Sequence, residues 1–248
     1  MLLVRLDFLQ GEVQKRADVQ NETQLIPLAD ITEYINRAIA RVHGLLAKSG
    51  EPYYRTVFQW TTTSGQQTYY TTAATGVPAG TAVLPTDMFL IIGLDAQIQN
   101  AFWANCDRMN FEQRNDLQQS NAFTPIRTVL YDYNGSGPNA AIYLQPPPNG
   151  VMPLRVWYFP VAPQLAAPSD TWDSANRWDS YVIAFAARYC AEKDENYELC
   201  ARLDKEVAEM EATIKAEGES RISGAAPKIR RRRYRKGGWP WGIPGGIP

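Results

Sequence analysis

Histidine occurs once in the 248 residues, at His43, and cysteine three times, at Cys106, Cys190 and Cys200. A zinc site needs three or four suitably spaced Cys or His ligands, and a disulfide framework needs an even set of cysteines. Neither can be built here, and the chain reads as the product of a reducing cytoplasm. Glycine-rich phosphate loops, the dinucleotide fingerprint, the H-E-x-x-H helix and the G-x-S-x-G elbow are missing. A nucleophilic triad would have only His43 as its base, and a surface or core role suits that residue better. Long apolar runs are missing as well. Arg5 and Asp7 break the opening stretch, and "YVIAFAA" from Tyr181 is far short of a membrane span. The expectation is a protein that is not an enzyme, with no cofactor, no metal, no signal peptide and no membrane anchor.

Acids are missing from one region only. From Pro227 onward the chain holds seven of its 25 Lys and Arg and none of its 26 Asp and Glu, so residues 1 to 226 carry 18 minus 26, or −8. An acidic body with a basic arm marks an interaction tail.

What is present is a chain with 45% hydrophobic residues, ample for a core. Leu2, Leu6, Leu9, Val13 and Ala17 recur at helical steps, and Ile31, Ile35, Ile39, Val42 and Leu46 form the stripe of a second helix. Pro27 suits the first turn of that helix, Asp30 with Glu33 resembles a capping box, and Ser49-Gly50 ends it. From Tyr53 to about Leu165 the composition shifts to Thr, Tyr, Trp and Val between turn residues. "YRTVFQWTTTSGQQTYYTT" reads as two strands around Ser64-Gly65, and "PTDMFLIIGLDAQI", "IRTVLYDY", "AAIYLQ" and "PLRVWYF" as four more. "CDRMNFEQRNDLQQS" from Cys106 reads as a short helix or loop. Helical periodicity then returns, with Trp178, Tyr181, Val182, Phe185 and Tyr189 on one face and Leu199, Leu203, Val207, Met210 and Ile214 on another. A break at Lys193-Asp194-Glu195, with Asp194 as N-cap, makes this a hairpin, although a single continuous helix fits nearly as well. Glu198 and Arg202 are spaced for an i,i+4 pair on an exposed face.

The fold class expected is α+β. Residues 1–52 form the N-terminal helix pair of a bundle, 53–168 an inserted antiparallel β-sandwich or barrel, 169–224 a helical hairpin completing the bundle, and 225–248 an extended basic arm rich in Gly, Pro and Trp.

Two stretches invite other functions. "SDTWDSANRWDSY" sets Asp170, Asp173 and Asp179 near Trp172 and Trp178, as a glycosidase would. Caps on the following helix and tryptophan anchors between sheet and helices account for the same residues. The aromatics of "YYRTVFQW" and "TYY" suit base stacking, but an acidic body opposes phosphate binding, and alternating aromatics make one packed face of a sheet.

The order of elements, with "DITEYINRAIARV", "FQWTTTSGQQTYY", "LPTDMFLIIGL", "LRVWYFPVAPQL" and "WDSYVIAFAARYCAEKDENYELCARLDKEVAEM", resembles the head-to-tail adaptor (portal-adaptor or tail tubular) proteins of short-tailed bacteriophages over about residues 1–218. The resemblance implies a virion protein at the head-tail junction, assembled in the host cytoplasm. Its copies form a ring, usually a dodecamer, beneath the portal protein, a tail nozzle or tail tube protein docks below, and genomic DNA passes through the lumen. "NAFWANCDRMNFEQRNDLQQSNAF" has no counterpart in that pattern, which leaves the loops facing the nozzle undefined.

The arm itself has three readings: a solvated tail, a nucleic-acid clamp, or a docking peptide. Lys228, Arg230, Arg231, Arg232, Arg233, Tyr234, Arg235, Lys236, Trp239 and Trp241 are its candidate contact residues. Trp and Arg dominate interface energies, and a Pro-stiffened segment loses less entropy on docking, which favours a protein groove over DNA. Extended at about 3.1 Å per residue, the arm spans on the order of 70 Å, enough to reach a neighbouring molecule; the expected acceptor is the portal.

Overall fold

The computed structural model describes residues 3–19, 25–49, 53–72, 76–98, 102–109, 129–135, 140–174 and 177–223. Among them are four helices and ten strands, arranged as an α+β fold in which a helical bundle carries a nearly closed mixed barrel. The helices are α1 (Leu6–Ala17), α2 (Leu28–Ser49), α3 (Asp179–Lys193) and α4 (Tyr197–Ser223). The arm lies outside the described residues.

The bundle forms because each helix has one face that water disfavours. Leu6, Leu9, Val13 and Ala17 of α1 are buried, as are Ile31, Ile35, Ile39, Val42 and Leu46 of α2. Burying one such aliphatic side chain contributes about 1.5–3 kcal/mol. α3 sits among the other three helices and is buried on more sides than its aromatic stripe implied. Ala184, Ala186, Ala187, Cys190 and Ala191 line its inner surface, and such small side chains let neighbouring backbones approach, while Phe185 and Tyr189 are only half-buried.

The α3–α4 turn is a hairpin, and the continuous helix is excluded. Asp194 is the C-cap of α3, not the N-cap of α4. Glu195 has φ 57°, a left-handed conformation that turns the chain. Asn196 then caps α4, its Oδ1 accepting the Leu199 N–H at 3.1 Å. The expected capping box of α2 is likewise replaced. The helix begins at Leu28, which puts Asp30 inside the first turn, where its carboxylate complements the helix dipole. Asp30 pairs with Lys193, and Glu33 pairs with Arg37.

Eight strands make the barrel: β2 (Thr56–Thr61), β3 (Thr68–Thr71), β4 (Ala82–Leu84), β5 (Met88–Ile98), β6 (Phe102–Arg108), β7 (Leu130–Asn134), β8 (Ala141–Gln145) and β9 (Pro153–Pro160). Their order is β2-β9-β5-β6-β7-β8-β3-β4. The end strands β2 and β4 come close without a ladder between them. Alternation decides which side chains fill the interior. In β9, Leu154, Val156 and Tyr158 are buried while Arg155 and Trp157 turn outward. Trp60, Tyr69, Leu94, Ile142 and Leu144 complete this second core.

Four readings of the β region need correction. The two strands around Ser64-Gly65 exist but do not pair with each other; β2 pairs with β9, and β3 with β8 and β4. Gly65, at φ 77°, donates its N–H to the Pro148 carbonyl, so the linking segment follows another loop and forms no hairpin turn. The sheet is mixed, not antiparallel, because β6–β7 and β3–β4 run parallel. A parallel pair needs a long crossover, and the chain between Arg108 and Leu130 supplies one. Cys106 to Arg108 are the end of strand β6, not a helix or loop, and the rest of that expected element lies largely outside the described residues. Residues 3–5 are not helical: β1 (Leu3–Arg5) pairs antiparallel with β10 (Thr171–Asp173), and the Leu6 N–H donates to the Asp170 carbonyl.

Ile35→Ala should destabilise the fold by about 2–5 kcal/mol, because the bundle core cannot collapse onto the vacated space. Asn196→Ala should cost about 1 kcal/mol through loss of the cap. Urea unfolding followed by circular dichroism checks both.

Candidate interaction surfaces

The described part of the chain ends in α4, which is held by side chains of the other three helices. Arg16 of α1 pairs with Glu206. Arg41 of α2 grips Glu211 with two hydrogen bonds, Nε to Oε1 at 3.0 Å and Nη2 to Oε2 at 3.2 Å. Tyr181 of α3 donates its hydroxyl to the same Oε1 at 2.9 Å, and Lys215 Nζ stands at 3.8 Å. Glu211 is thus tied to α2 and α3 at once. The Arg41 hydrogen bonds hold its carboxyl below the ordinary 4.5, against an opposing effect of burial. Burial, followed by the bond to Glu211, pushes the Tyr181 hydroxyl up. Arg188 of α3 adds a bond to Asp204 at 2.9 Å.

Each of the candidates for chemistry has surroundings of its own. His43 is 9% exposed and stacks on Tyr54 with ring centroids 4.2 Å apart. Burial pushes it down to about 4, so it is a neutral core histidine at physiological pH. Its Nε2 has no partner among the described residues. Asp170 caps a loop instead of a helix, its Oδ2 accepting the N–H groups of Ala166 and Ala167 at 2.8 Å, and those bonds hold it below the usual carboxylate range. Asp173 accepts the Tyr53 hydroxyl at 2.7 Å, and Asp179 is the first residue of α3. Trp172 and Trp178 belong to the bundle core, and Tyr53 and Tyr54, at the entry to the barrel, pack against Trp178. All three cysteines are buried and unbridged, and burial pushes the Cys106 and Cys190 thiols up to about 12. Among the described residues no group of three or more His, Cys, Asp or Glu could hold a metal ion, and no helix is long and apolar enough to cross a membrane.

One cluster was not foreseen. On the outer face of the barrel, Asp95 is 6% exposed and its Oδ2 accepts both Arg155 Nε at 2.7 Å and Trp157 Nε1 at 2.8 Å. The Arg155 guanidinium lies 4.4 Å from the Trp103 ring centroid and 5.2 Å from that of Trp157. A self-satisfied Arg–Trp layer of this kind is a rigid surface, not a reactive one. The alternation of "LRVWYF" placed Arg155 and Trp157 on one face, but their partner Asp95 comes from a strand sixty residues away.

The contact residues expected in the arm, from Lys228 to Trp241, lie outside the described residues. A family model described as SU10 adaptor protein matches residues 6–237. The match takes in the basic run from Lys228 to Lys236 and ends before Trp239 and Trp241. No curated protein matches the chain.

Because the folded carboxyl of Glu211 titrates below its unfolded value, its contribution is present above about pH 4.5 and is lost as the pH falls through the folded pKa. Glu211→Gln should cost about 1–3 kcal/mol at pH 7, and the difference from the native chain should shrink as the pH falls below 4.5. Urea midpoints measured across pH 3 to 7 test this.

Proposed function

The chain belongs to the SU10 adaptor protein family, structural head-tail adaptors of bacteriophages and components of the virion, and from that premise we propose that copies of it form a ring joining the capsid portal to the tail. The observation that carries this reading is the match across 6–237, nearly the whole chain. In the proposed ring, residues 1–52 and 169–224 make the bundle, 53–168 the inserted barrel, and 225–248 an arm anchored on the portal. The ring is dodecameric, as in short-tailed phages, a tail nozzle or tube protein docks on its far side, and genomic DNA passes through the lumen. It assembles in the host cytoplasm. A body of net charge −8 would repel phosphates and let the duplex slide.

The alternative is a DNA-binding protein that grips through the arm. Within the described body ten cations, among them Arg16, Arg37, Arg41, Arg155 and Arg188, already lie within 4 Å of a carboxylate, which leaves the arm as the concentrated positive charge.

A chain ending at Gly224 should fold normally, since the last buried member of the core among the described residues is Ile214, yet should no longer stay on the portal. Electron microscopy of portal mixed with either form reads this directly, and equal ring occupancy by the truncated chain would make the arm a bystander. Within the arm, replacing Trp239 and Trp241 by Ala should weaken portal binding by about 2 kcal/mol or more apiece, almost independently of salt. Replacing Arg230 to Arg233 by Gln should weaken it mainly at low ionic strength. Tight duplex DNA binding that is indifferent to the tryptophans and falls steeply with salt would favour the alternative.

A further inference from the structure

The charges of the described body that lack a partner are not scattered evenly. Lys48, Arg55, Arg177, Arg202 and Lys205 reach no carboxylate within 4 Å among the described residues. Three of them belong to segments that meet at one corner. Lys48 lies in the last turn of α2, Arg55 follows Tyr54, and Arg177 precedes Trp178; the Tyr54 and Trp178 rings meet with centroids 6.2 Å apart, and Tyr54 also stacks on His43 of α2. Of the described acids nearby, Asp173 takes the Tyr53 hydroxyl, and Asp173 and Asp179 each keep Oδ1 buried. Tyr53 is 38% exposed beside them.

The opposite end of the bundle carries a group of acids. Asp194, Glu195 and Glu198 surround the α3–α4 turn with no cation within 4 Å among the described residues, since Lys193 is taken by Asp30 and the i,i+4 pair of Glu198 with Arg202, one turn along α4, is not formed. Tyr197 stands in their midst, 71% exposed. Helices α2 and α3 are antiparallel, since Asp30 meets Lys193 at one end while His43 and Trp178 flank Tyr54 at the other. The two clusters are therefore separated by about the length of α3, roughly 22 Å for 15 residues. Arg202 and Lys205 of α4 are the other described cations without a carboxylate within 4 Å, and Asp18, Asp107 and Glu209 reach no cation within that distance among the described residues.

We propose that the acidic α3–α4 turn of one copy, led by Tyr197, docks against the cationic corner of Lys48, Arg55 and Arg177 on a second copy. The partner follows from complementarity within a single chain. Two different patches that fit each other make a heterologous contact, which propagates and closes into a ring when its rotation allows. Bodies carrying −8 each repel one another, so their contact needs local charge complementarity of this kind. Tyrosine on both patches supplies the rigid, amphipathic anchor that the charges orient. The proposal deepens the ring reading and rests on it.

Charge reversal in the full-length chain tests it, at sites that are not fully buried and have no ion-pair partner among the described residues. Lys48→Glu with Arg55→Glu makes both ends acidic, and Asp194→Lys with Glu198→Lys makes both ends basic; Glu195 is left alone because of its left-handed backbone. Sedimentation velocity over rising protein concentration at low salt, with and without portal, should show each pair weakening self-association by roughly tenfold or more. The fourfold variant should recover most of that loss, the two pair variants should co-assemble when mixed, and Tyr197→Ala should weaken association at low and high salt alike. Thermal melts matching the native chain confirm that each variant folds. Native-like association by the pair variants, or a fourfold variant no better than either pair, overturns the contact. If rings still form on the portal in that case, the ring reading survives without it. A native chain that never self-associates, even on the portal, removes both.

Discussion

Neither end of the chain can bury its apolar face alone, and this constraint organises the rest of the structure. α1 and α2 each offer a stripe of Leu, Val and Ile, but a pair of helices leaves half of such surface wet. The missing cover is α3, which begins only at Asp179, far beyond the end of α2 at Ser49, and whose alanines and Cys190 fit among the other helices because they are small. Once the two chain ends must meet, everything between them is an insertion, and its entry and exit must lie side by side. They do: Tyr54 at the entry donates its hydroxyl to the Asp173 carbonyl at the exit at 2.7 Å, β1 pairs with β10, and Asn36 holds the Leu165 backbone through both its N–H and its carbonyl. The junction is therefore closed by hydrogen bonds and stacked rings.

The bundle was legible because helical periodicity is a local signal. The steps from Ile31 to Leu46 and from Leu6 to Ala17 are recorded in consecutive residues, and burial followed them. The corrections concern features that depend on distant partners. Nothing near Leu3 announces that Thr171 to Asp173 will draw it out of the helix, and nothing near Ser64-Gly65 reveals that the two flanking strands will pair elsewhere. The alanine face of α3 was missed for a different reason: small residues carry little hydrophobic signal, although a crowded bundle centre selects them for volume. Asp194 and Asn196 are both good caps, and what decided between them was the left-handed Glu195, which no propensity singles out.

The site was legible to a different degree. Composition alone separated the basic arm from the acidic body, because net charge needs no fold to be counted. The surface features of the body were not legible, since they arise from pairing. Arg41 and Arg155 look alike in sequence to Lys48 and Arg55, yet the first two are held by Glu211 and Asp95, and the second two reach no carboxylate among the described residues. Whether a cation is available to a partner depends on which acids the fold brings within reach, and that information is distributed over the chain.

The grip on α4 also bears on how an arm can work without a tight site of its own. Glu211 joined to Arg41 and Tyr181, and Glu206 joined to Arg16, fix α4 against the other three helices ahead of the residues that lead into the arm. In the ring proposed above, every copy would carry its α4 in the same orientation. When one arm engages a symmetric partner, the next acceptor stands within reach of the next arm, and the second binding event becomes effectively intramolecular. Each arm then needs only modest affinity, and release of one does not free the ring. A basic run that draws the arm in from a distance and a tryptophan-proline end that seats it would divide that work, since screened charges act mainly on approach and buried aromatics on residence. The matched region ends between those two halves, which puts the electrostatic part inside the family pattern and the aromatic part beyond it.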